Sequence, residues 1–212
     1  MTEYKSWPLG QLPPEFQRPE LDQLKKNGYK FSDPREVVDI FEKKVAKFAG
    51  AKYGIAVDCC SHGLFLSLKW YKDVMKMITE HIHIPRYTYC SVPMQIIHAG
   101  FKPVFEDVTW SGMYQLKPFD IWDGAVRWTQ GMYKSGFHIV SFQLKKRIPI
   151  GRGGMILTND KKAADWFRKM TYDGRDLTIS YMDDDFEYCG YHYYMTPEDA
   201  ARGILLMDQV PK

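Results

Sequence analysis

Short apolar runs alternate along the chain with longer segments whose apolar residues lie three or four positions apart. The first pattern is typical of buried strands, and the second is typical of helices that pack one face on a sheet. Strands are predicted at 53–57, 81–85, 102–108, 119–122, 137–142 and 155–158. Helices are predicted at 20–26, 34–49, 64–75, 92–99, 161–171 and 197–209. This alternation predicts an α/β protein with a mostly parallel, doubly wound sheet flanked by helices.

Turn and cap residues set the limits of these elements. Asp33 followed by Pro34 favours a helix start with Asp as the N-cap, and Thr196 before Pro197 favours a second one. Residues 1–32 are rich in proline and charge and are expected to form an N-terminal arm. Because 212 residues suit one domain, residues 33–212 are expected to form a single domain.

Composition narrows the class of protein. Hydrophobic residues make up 45% and aromatic residues 15% of the chain, which is enough for a sizeable core. The net charge of +3 favours neither a nucleic-acid partner nor a membrane surface. No apolar run approaches the roughly 18 residues of a spanning helix, so no membrane insertion is expected. The four cysteines lack metal-ligand spacing, so we expect no metal site and reduced thiols in a cytoplasmic protein.

The stretch from Ser141 to Gly154 joins two predicted core strands and carries most of the candidate chemistry. It contains a hydroxyl, the adjacent Lys145 and Lys146, and a Gly-x-Gly-Gly turn. A lysine amine held at a strand end could form a Schiff base with an aldehyde cofactor. An ordinary basic turn between strands would have the same local sequence.

Polar residues also follow other predicted strands: Ser61-His62, Tyr89 and Asp123. A doubly wound sheet would gather these strand ends at one edge, where α/β proteins bind ligands. Pyridoxal phosphate (PLP) requires such a set. Its phosphate suits a helix N-terminus and hydroxyls, its ring an aromatic side chain, its pyridine nitrogen a carboxylate and its aldehyde a lysine.

The order and spacing of these residues resemble the DegT/StrS-type sugar aminotransferases, which are PLP enzymes of fold type I. The similar segments cover about Val37 to Gln209, and their residues are 41–53, 59–64, 85–89, 100–108, 122–125, 141–154 and 190–201. Among them, Gly-Phe-Lys-Pro-Val-Phe-Glu-Asp-Val at 100–108 is close to the family's Gly-x-x-Pro-Val-Phe-x-Asp-Val, and Ser-Phe-x-x-x-Lys at 141–146 to its Ser-Phe-His-x-x-Lys.

The resemblance implies a role for each candidate residue. Lys146 would hold PLP as a Schiff base, and Asp123 would pair with the pyridine nitrogen. The remaining implied contacts are the stacking aromatic Tyr89, the phosphate ligands Ser61, Ser141 and the His62 amide, and His192, which would reach the phosphate of a partner subunit. The family also implies a homodimer that moves an amino group, from glutamate, to a nucleotide-linked keto sugar.

Several residues depart from the family pattern. His192 and Tyr194 stand where asparagine and arginine are usual, Arg152 replaces a glutamate, and the chain ends before the family's C-terminal small domain. Two alternatives therefore remain. One is another PLP-dependent reaction on a small amine or amino acid. The other is a catalytically silent, truncated relative that binds a nucleotide sugar or a partner subunit.

Overall fold

The structure is a computed structural model that describes residues 18–209, with a mixed β-sheet at its centre. The strands are β1 (Tyr53–Val57), β2 (His81–Pro85), β3 (Lys102–Glu106), β4 (Tyr114–Gln115), β5 (Ile121–Asp123), β6 (Phe137–Ser141) and β7 (Gly154–Thr158). The helices are α1 (Glu20–Lys26), α2 (Glu36–Ala49), α3 (Cys60–Lys69), α4 (Ser91–His98), α5 (Lys161–Thr171) and α6 (Pro197–Gln209). A π-helical turn, Trp70–Val74, continues α3, and a 3-10 turn lies at Tyr181–Asp183.

The sheet separates two apolar layers because its strands alternate their side chains between the two faces. On one face, Ile139 and Ile156 pack with α3, α4 and α5. On the other face, Val140 and Met155 pack with α1, α2 and α6. None of the helices between residues 18 and 209 has the length and apolar character needed to cross a bilayer.

The α/β class is confirmed, but the expectation of a mostly parallel sheet is wrong. The five-stranded sheet has the order β1-β7-β6-β5-β4, and β2 pairs with β3 in a separate two-stranded sheet. Only β5/β6 and β2/β3 are parallel, whereas β1/β7, β6/β7 and β4/β5 are antiparallel. The connection between β4 and β5 is too short for the crossover that parallel neighbours require, and β7 runs antiparallel to both of its neighbours, β1 and β6.

Most element limits agree with the sequence predictions. Strands β1 and β2 and helices α1, α5 and α6 occur at the predicted positions. Helix α2 begins two residues later than predicted, because Asp33, Pro34 and Arg35 form tighter i→i+3 turns before it. The segment 109–117, predicted as loop, contains β4.

The predicted division between an arm at 1–32 and a domain at 33–212 stays a prediction. Residues 1–17 and 210–212 lie outside the described part of the chain. Within it, α1 packs against α6 through the fully buried Leu24, and Arg18 donates a hydrogen bond to Asp199 at 2.8 Å.

Candidate active site

Three strand ends meet at one edge of the sheet. Gly154, the first residue of β7, pairs with both Val57 at the end of β1 and Ser141 at the end of β6. Gly154 also lies directly against the start of α3, since a Cβ placed there would be 2.6 Å from the backbone nitrogen of Cys60. The absence of a side chain thus allows the turn after β6 and the N-terminus of α3 to approach each other.

The N-terminus of α3 supplies hydroxyl and amide groups at this edge. Ser61 and the His62 amide lie in its first turn, where backbone N–H groups have no partner within a helix. The Ser61 hydroxyl lies 2.7 Å from the Ser91 hydroxyl at the start of α4. Two hydroxyls and free helical amides form a set of donors suited to a phosphate.

Asp123 lies at the end of β5 with 6% of its surface exposed. Its Oδ1 accepts a hydrogen bond from the Ala125 amide at 2.9 Å, and its Oδ2 accepts one from the Tyr114 hydroxyl at 2.7 Å. Burial raises the pKa of Asp123, while these two hydrogen bonds and the positive charge of Lys146 act against that rise. The sequence-predicted carboxylate is therefore buried, oriented and close to the charge of the sequence-predicted lysine.

Lys146 lies in the turn that follows β6. Its backbone amide donates to the Gln143 carbonyl at 2.8 Å, and its side chain is half-buried. It lines a cavity of about 120 Å³ together with Ser141, Ala125 and Arg147. Its charge also acts on the thiol of Cys60, whose pKa burial raises well above the usual value. Lys145, the neighbouring lysine, is exposed.

The His62 side chain belongs to a charged group beside the α3 start. Its Nδ1 lies 2.6 Å from Asp58 Oδ1, and its ring stacks on Tyr193 at a centroid distance of 3.7 Å. Arg152 binds the other Asp58 oxygen at 2.6 Å. Burial acts to lower the pKa of His62, but hydrogen bonds to Asp58 and Cys59 outweigh it and raise this pKa to about 9.

Asp58, Cys59 and His62 also place three potential metal-ligand atoms within 4.8 Å of one another, a grouping that the cysteine spacing did not reveal. Asp58 is already paired with two cationic groups there, the Arg152 guanidinium and the His62 imidazolium. The arrangement therefore functions as an ion-pair network that holds the glycine turn against the start of α3.

The other two predicted site residues lie on the surface of the chain. The Tyr89 side chain is 73% exposed, in the turn between β2 and α4. His192 is exposed and its Nδ1 lies 2.8 Å from Asp173 Oδ2, while its ring packs edge-on against Tyr194. Their predicted roles, ring stacking and a contact across a dimer interface, stay predictions.

Three residues at this edge were not among the sequence-predicted site residues: Tyr114, Thr88 and Ser91. Tyr114 lies in the segment predicted as loop, where no periodic pattern marked it. Thr88 and Ser91 flank Tyr89 on both sides, so their position in a turn between strand and helix was a usable signal.

Gly124, the residue after Asp123, packs closely against the side chain of His138. His138 on β6 is fully buried, and a Cβ on Gly124 would lie 2.1 Å from its Nε2. Burial and the charge of Arg127 lower the pKa of His138 to about 4, so the ring is neutral near pH 7. Gly124 therefore makes room for His138 next to Asp123.

These residues fit PLP by the chemistry of their donors and acceptors. Ser61, Ser91 and the α3 amides suit its phosphate, Asp123 suits its protonated pyridine nitrogen, and Lys146 offers an amine in the same neighbourhood. The close contact at Gly154 brings the phosphate-type donors next to the strand end of Ser141.

The fold is that of the sugar aminotransferases. The structure of CalS13, a sugar aminotransferase from Micromonospora echinospora, matches with a TM-score of 0.72 at 16% identity over 90% of this chain and 64% of that one. AtS13 from Actinomadura melliaura matches with a TM-score of 0.73 at 18% identity over 91% of this chain and 65% of that one. The chain belongs to the DegT/DnrJ/EryC1/StrS aminotransferase family, whose profile matches residues 15–122 and 130–212.

A curated relative is similar to this chain over part of its own length. The spore coat polysaccharide biosynthesis protein SpsC of Bacillus subtilis is 26% identical in an alignment of 202 positions that covers 73% of this chain and 50% of that protein. The chain spans about half the length of the curated relatives it matches. The resemblance seen in the sequence motifs is thus confirmed at the level of family and fold.

Proposed function

We propose that this chain binds PLP covalently through Lys146 and transfers an amino group, from glutamate, to a nucleotide-linked keto sugar. The observation that carries the proposal is the buried Asp123, held by two hydrogen bonds and subject to the positive charge of Lys146. Burying an ionised carboxylate away from water costs free energy unless the carboxylate has a cationic partner. A protonated pyridine nitrogen is a partner of that kind.

Bound PLP supplies an electron sink for the bonds at the α-carbon of an amino acid. The chain's residues determine what that sink can do. Asp123 holds the proton on the pyridine nitrogen. Ser61, Ser141 and the His62 amide would hold the phosphate end, and Tyr89 would stack on the ring. The Lys146 amine would act as the base that takes and returns the substrate proton.

The basic rim fits a phosphorylated acceptor. Arg147 and Lys145 are exposed and line the same cavity as Lys146. Guanidinium and ammonium groups of this kind bind the phosphates of a nucleotide-linked sugar. We include a homodimer in the proposal, with the exposed His192 contributing to the partner subunit's site. We also include a cytoplasmic location, in keeping with four cysteines that are all free thiols.

A visible absorbance spectrum of the protein with added PLP tests the lysine assignment. The wild type should develop the band of a lysine-bound cofactor, and borohydride should fix the cofactor to the chain. Lys146→Ala should lack both. Lys145→Ala is the matched control, because this neighbouring lysine is exposed and should leave both unchanged.

The outcomes separate the proposal from its rivals. No band in the wild type, or the same band in Lys146→Ala, would support the catalytically silent alternative. A band that responds to small amines but not to glutamate would support a different PLP-dependent reaction. A band that glutamate bleaches and a keto sugar nucleotide restores would support amino transfer.

A further inference from the structure

Tyr114 is the least expected residue at the candidate site. It lies on the two-residue strand β4, which the short β4/β5 hairpin places next to the end of β5. Its side chain is buried, with 6% of its surface exposed, and its hydroxyl reaches Asp123 Oδ2 at 2.7 Å. The backbone register explains this contact, because Tyr114 pairs directly with Asp123 across the hairpin.

The hydrogen bonds around the Tyr114 hydroxyl have a fixed direction. An ionised carboxylate can only accept, so the single phenolic proton of Tyr114 is donated to Asp123. The Thr88 hydroxyl also contacts the Tyr114 hydroxyl. Because the phenolic proton is already committed, Thr88 must donate its own proton to the Tyr114 oxygen. The result is a directed chain from Thr88 through Tyr114 to Asp123.

Packing fixes this chain of hydroxyls in place. Trp110 packs edge-on against the Tyr114 ring at a centroid distance of 4.8 Å and donates its indole N–H to the Tyr87 carbonyl at 2.8 Å. Thr88 is adjacent to Tyr89 in the turn that also carries Ser91, the neighbour of Ser61. The turn 87–91 therefore connects the carboxylate end of the site with its phosphate end.

We propose that Tyr114 is a positioning residue that holds Asp123 ionised and aimed at the pyridine nitrogen, and that Thr88 supports Tyr114 by donating a hydrogen bond to its hydroxyl oxygen. This inference rests on the proposed function, because it assigns Tyr114 a purpose in PLP binding. Hydrogen bonds donated to a carboxylate stabilise its charged form, and a buried carboxyl needs that stabilisation most.

The charged and titratable groups that act on Asp123 come from three elements. They are Tyr114 on β4, Lys146 in the turn after β6 and Cys60 at the start of α3. Lys146 acts on Asp123 through its charge and not through a hydrogen bond, and the Cys60 thiol is buried. Tyr114 is then the side chain on which Asp123 depends for a hydrogen bond.

The first test follows the Asp123 carboxyl in the full chain without cofactor, by ¹³C NMR over a pH range, with Asp123→Asn to assign the signal. Tyr114→Phe retains the ring and removes the hydroxyl. We expect the titration midpoint of Asp123 to move upward by about one pH unit or more, the size of a lost hydrogen bond to a charged group. Thr88→Val should move it in the same direction by a smaller amount.

The second test measures the affinity for PLP by equilibrium dialysis. Tyr114→Phe should weaken binding about tenfold or more, as expected for one hydrogen bond to a charged group. Tyr133→Phe is the matched control, since its hydroxyl donates to the Gly136 carbonyl and does not contact Asp123. In the Asp123→Asn background, Tyr114→Phe should have little further effect.

The outcomes are separable from those of the proposed function. A wild type that does not bind PLP would overturn the proposed function and this inference with it, whatever Asp123 does in the NMR titration. If PLP binds, but Tyr114→Phe and Thr88→Val both behave like Tyr133→Phe in midpoint and affinity, the inference alone is overturned. If Tyr114→Phe does not fold, the titration midpoint and the PLP affinity of Thr88→Val test the inference in its place.

Discussion

The two sides of the candidate site differ in how completely the chain builds them. On the inner side, Asp123 and Tyr114 are each 6% exposed and hydrogen-bonded to each other. On the outer side, the Tyr89 ring is 73% exposed, and Lys145 and Arg147 are exposed as well. The inner side is organised by folding itself, whereas the outer side presents groups to solvent.

This difference has a physical consequence for binding. Groups that are already held in place need little ordering when a ligand arrives, whereas exposed long side chains lose rotamer freedom on binding. The inner side should therefore determine whether a cofactor binds and in which orientation. The outer side should determine which keto sugar acceptor binds, together with any protein surface that covers this side. Changes on the inner side should accordingly have the larger effects.

Asp123→Asn should have the largest effect on function. It retains the size of the side chain but removes the charge that would hold the pyridine proton. We expect the rate of amino transfer from glutamate to fall by about a hundredfold or more, the usual scale for losing one electrostatic stabiliser in a dry site. The unfolding free energy should change much less, because burial already disfavours the ionised carboxylate.

Asp120→Asn is the matched control for this substitution. Asp120 lies just before β5 and accepts hydrogen bonds from Trp122 Nε1 and the Ser135 hydroxyl, both at 2.7 Å. It should lose some stability while retaining amino transfer. Equal losses of activity in both variants would contradict the assignment of Asp123 to the pyridine nitrogen.

Gly154→Ala should have the next largest effect, and it tests how the two sides are joined. The added Cβ would lie 2.6 Å from the Cys60 nitrogen and 2.8 Å from the Cys59 carbonyl carbon. Both atoms are backbone, so strand β7 and helix α3 must separate. We expect a loss of about 1–3 kcal/mol in unfolding free energy, as for other overpacked sites, together with weaker PLP binding. Chemical denaturation measures the first quantity.

Gly63→Ala on the same helix is the control. Its new Cβ would lie 2.9 Å from Ile139 Cγ2, which is a side-chain atom and not backbone, and alanine also favours the helix. It should therefore cost clearly less than Gly154→Ala. If the two variants were equally stable, the close backbone contact at Gly154 would not control the spacing of the site.

The sequence was sufficient for the family, the α/β class and the candidates at the strand ends, because each depends on local patterns. Apolar runs located β1 and β2. The order of motifs indicated Lys146 and Asp123, whose roles at the site stay predictions. The direction of the strands was not local information. Strand β7 runs antiparallel to both of its neighbours, and a periodic pattern of apolar residues does not encode the direction in which a strand runs.

Tyr114 shows the same limit at the site itself. Its segment has no periodic pattern of apolar residues. Its contact with Asp123 arises from the register of the β4/β5 hairpin, in which only two residue pairs are formed. The His62 side chain is a second case. The sequence indicated its backbone amide as a phosphate ligand, whereas the ring is bound to Asp58 and stacked on Tyr193. The contact of Tyr114 with Asp123 and the stacking of His62 on Tyr193 both form only when the chain folds.

The smallest expected effect concerns this His62 ring, and it appears as a pH dependence. The pKa of His62 is raised to about 9 in the folded chain and is about 6.5 in an unfolded one. The folded state therefore holds the proton more tightly, so the ion pair with Asp58 stabilises the fold fully below about pH 6.5. That stabilisation is lost as the pH rises through 9.

His62→Gln removes the titrating group, so the wild type should be more stable than the variant at pH 6, and this advantage should shrink by pH 9.5. Because the pair is partly exposed, we expect an advantage of no more than about 1 kcal/mol, measured by chemical denaturation across this pH range. His83→Gln, which removes a half-buried histidine paired with Glu106, is the matched control. A constant difference between wild type and His62→Gln from pH 6 to 9.5 would show that the ring supports α3 by stacking on Tyr193, not by its charge.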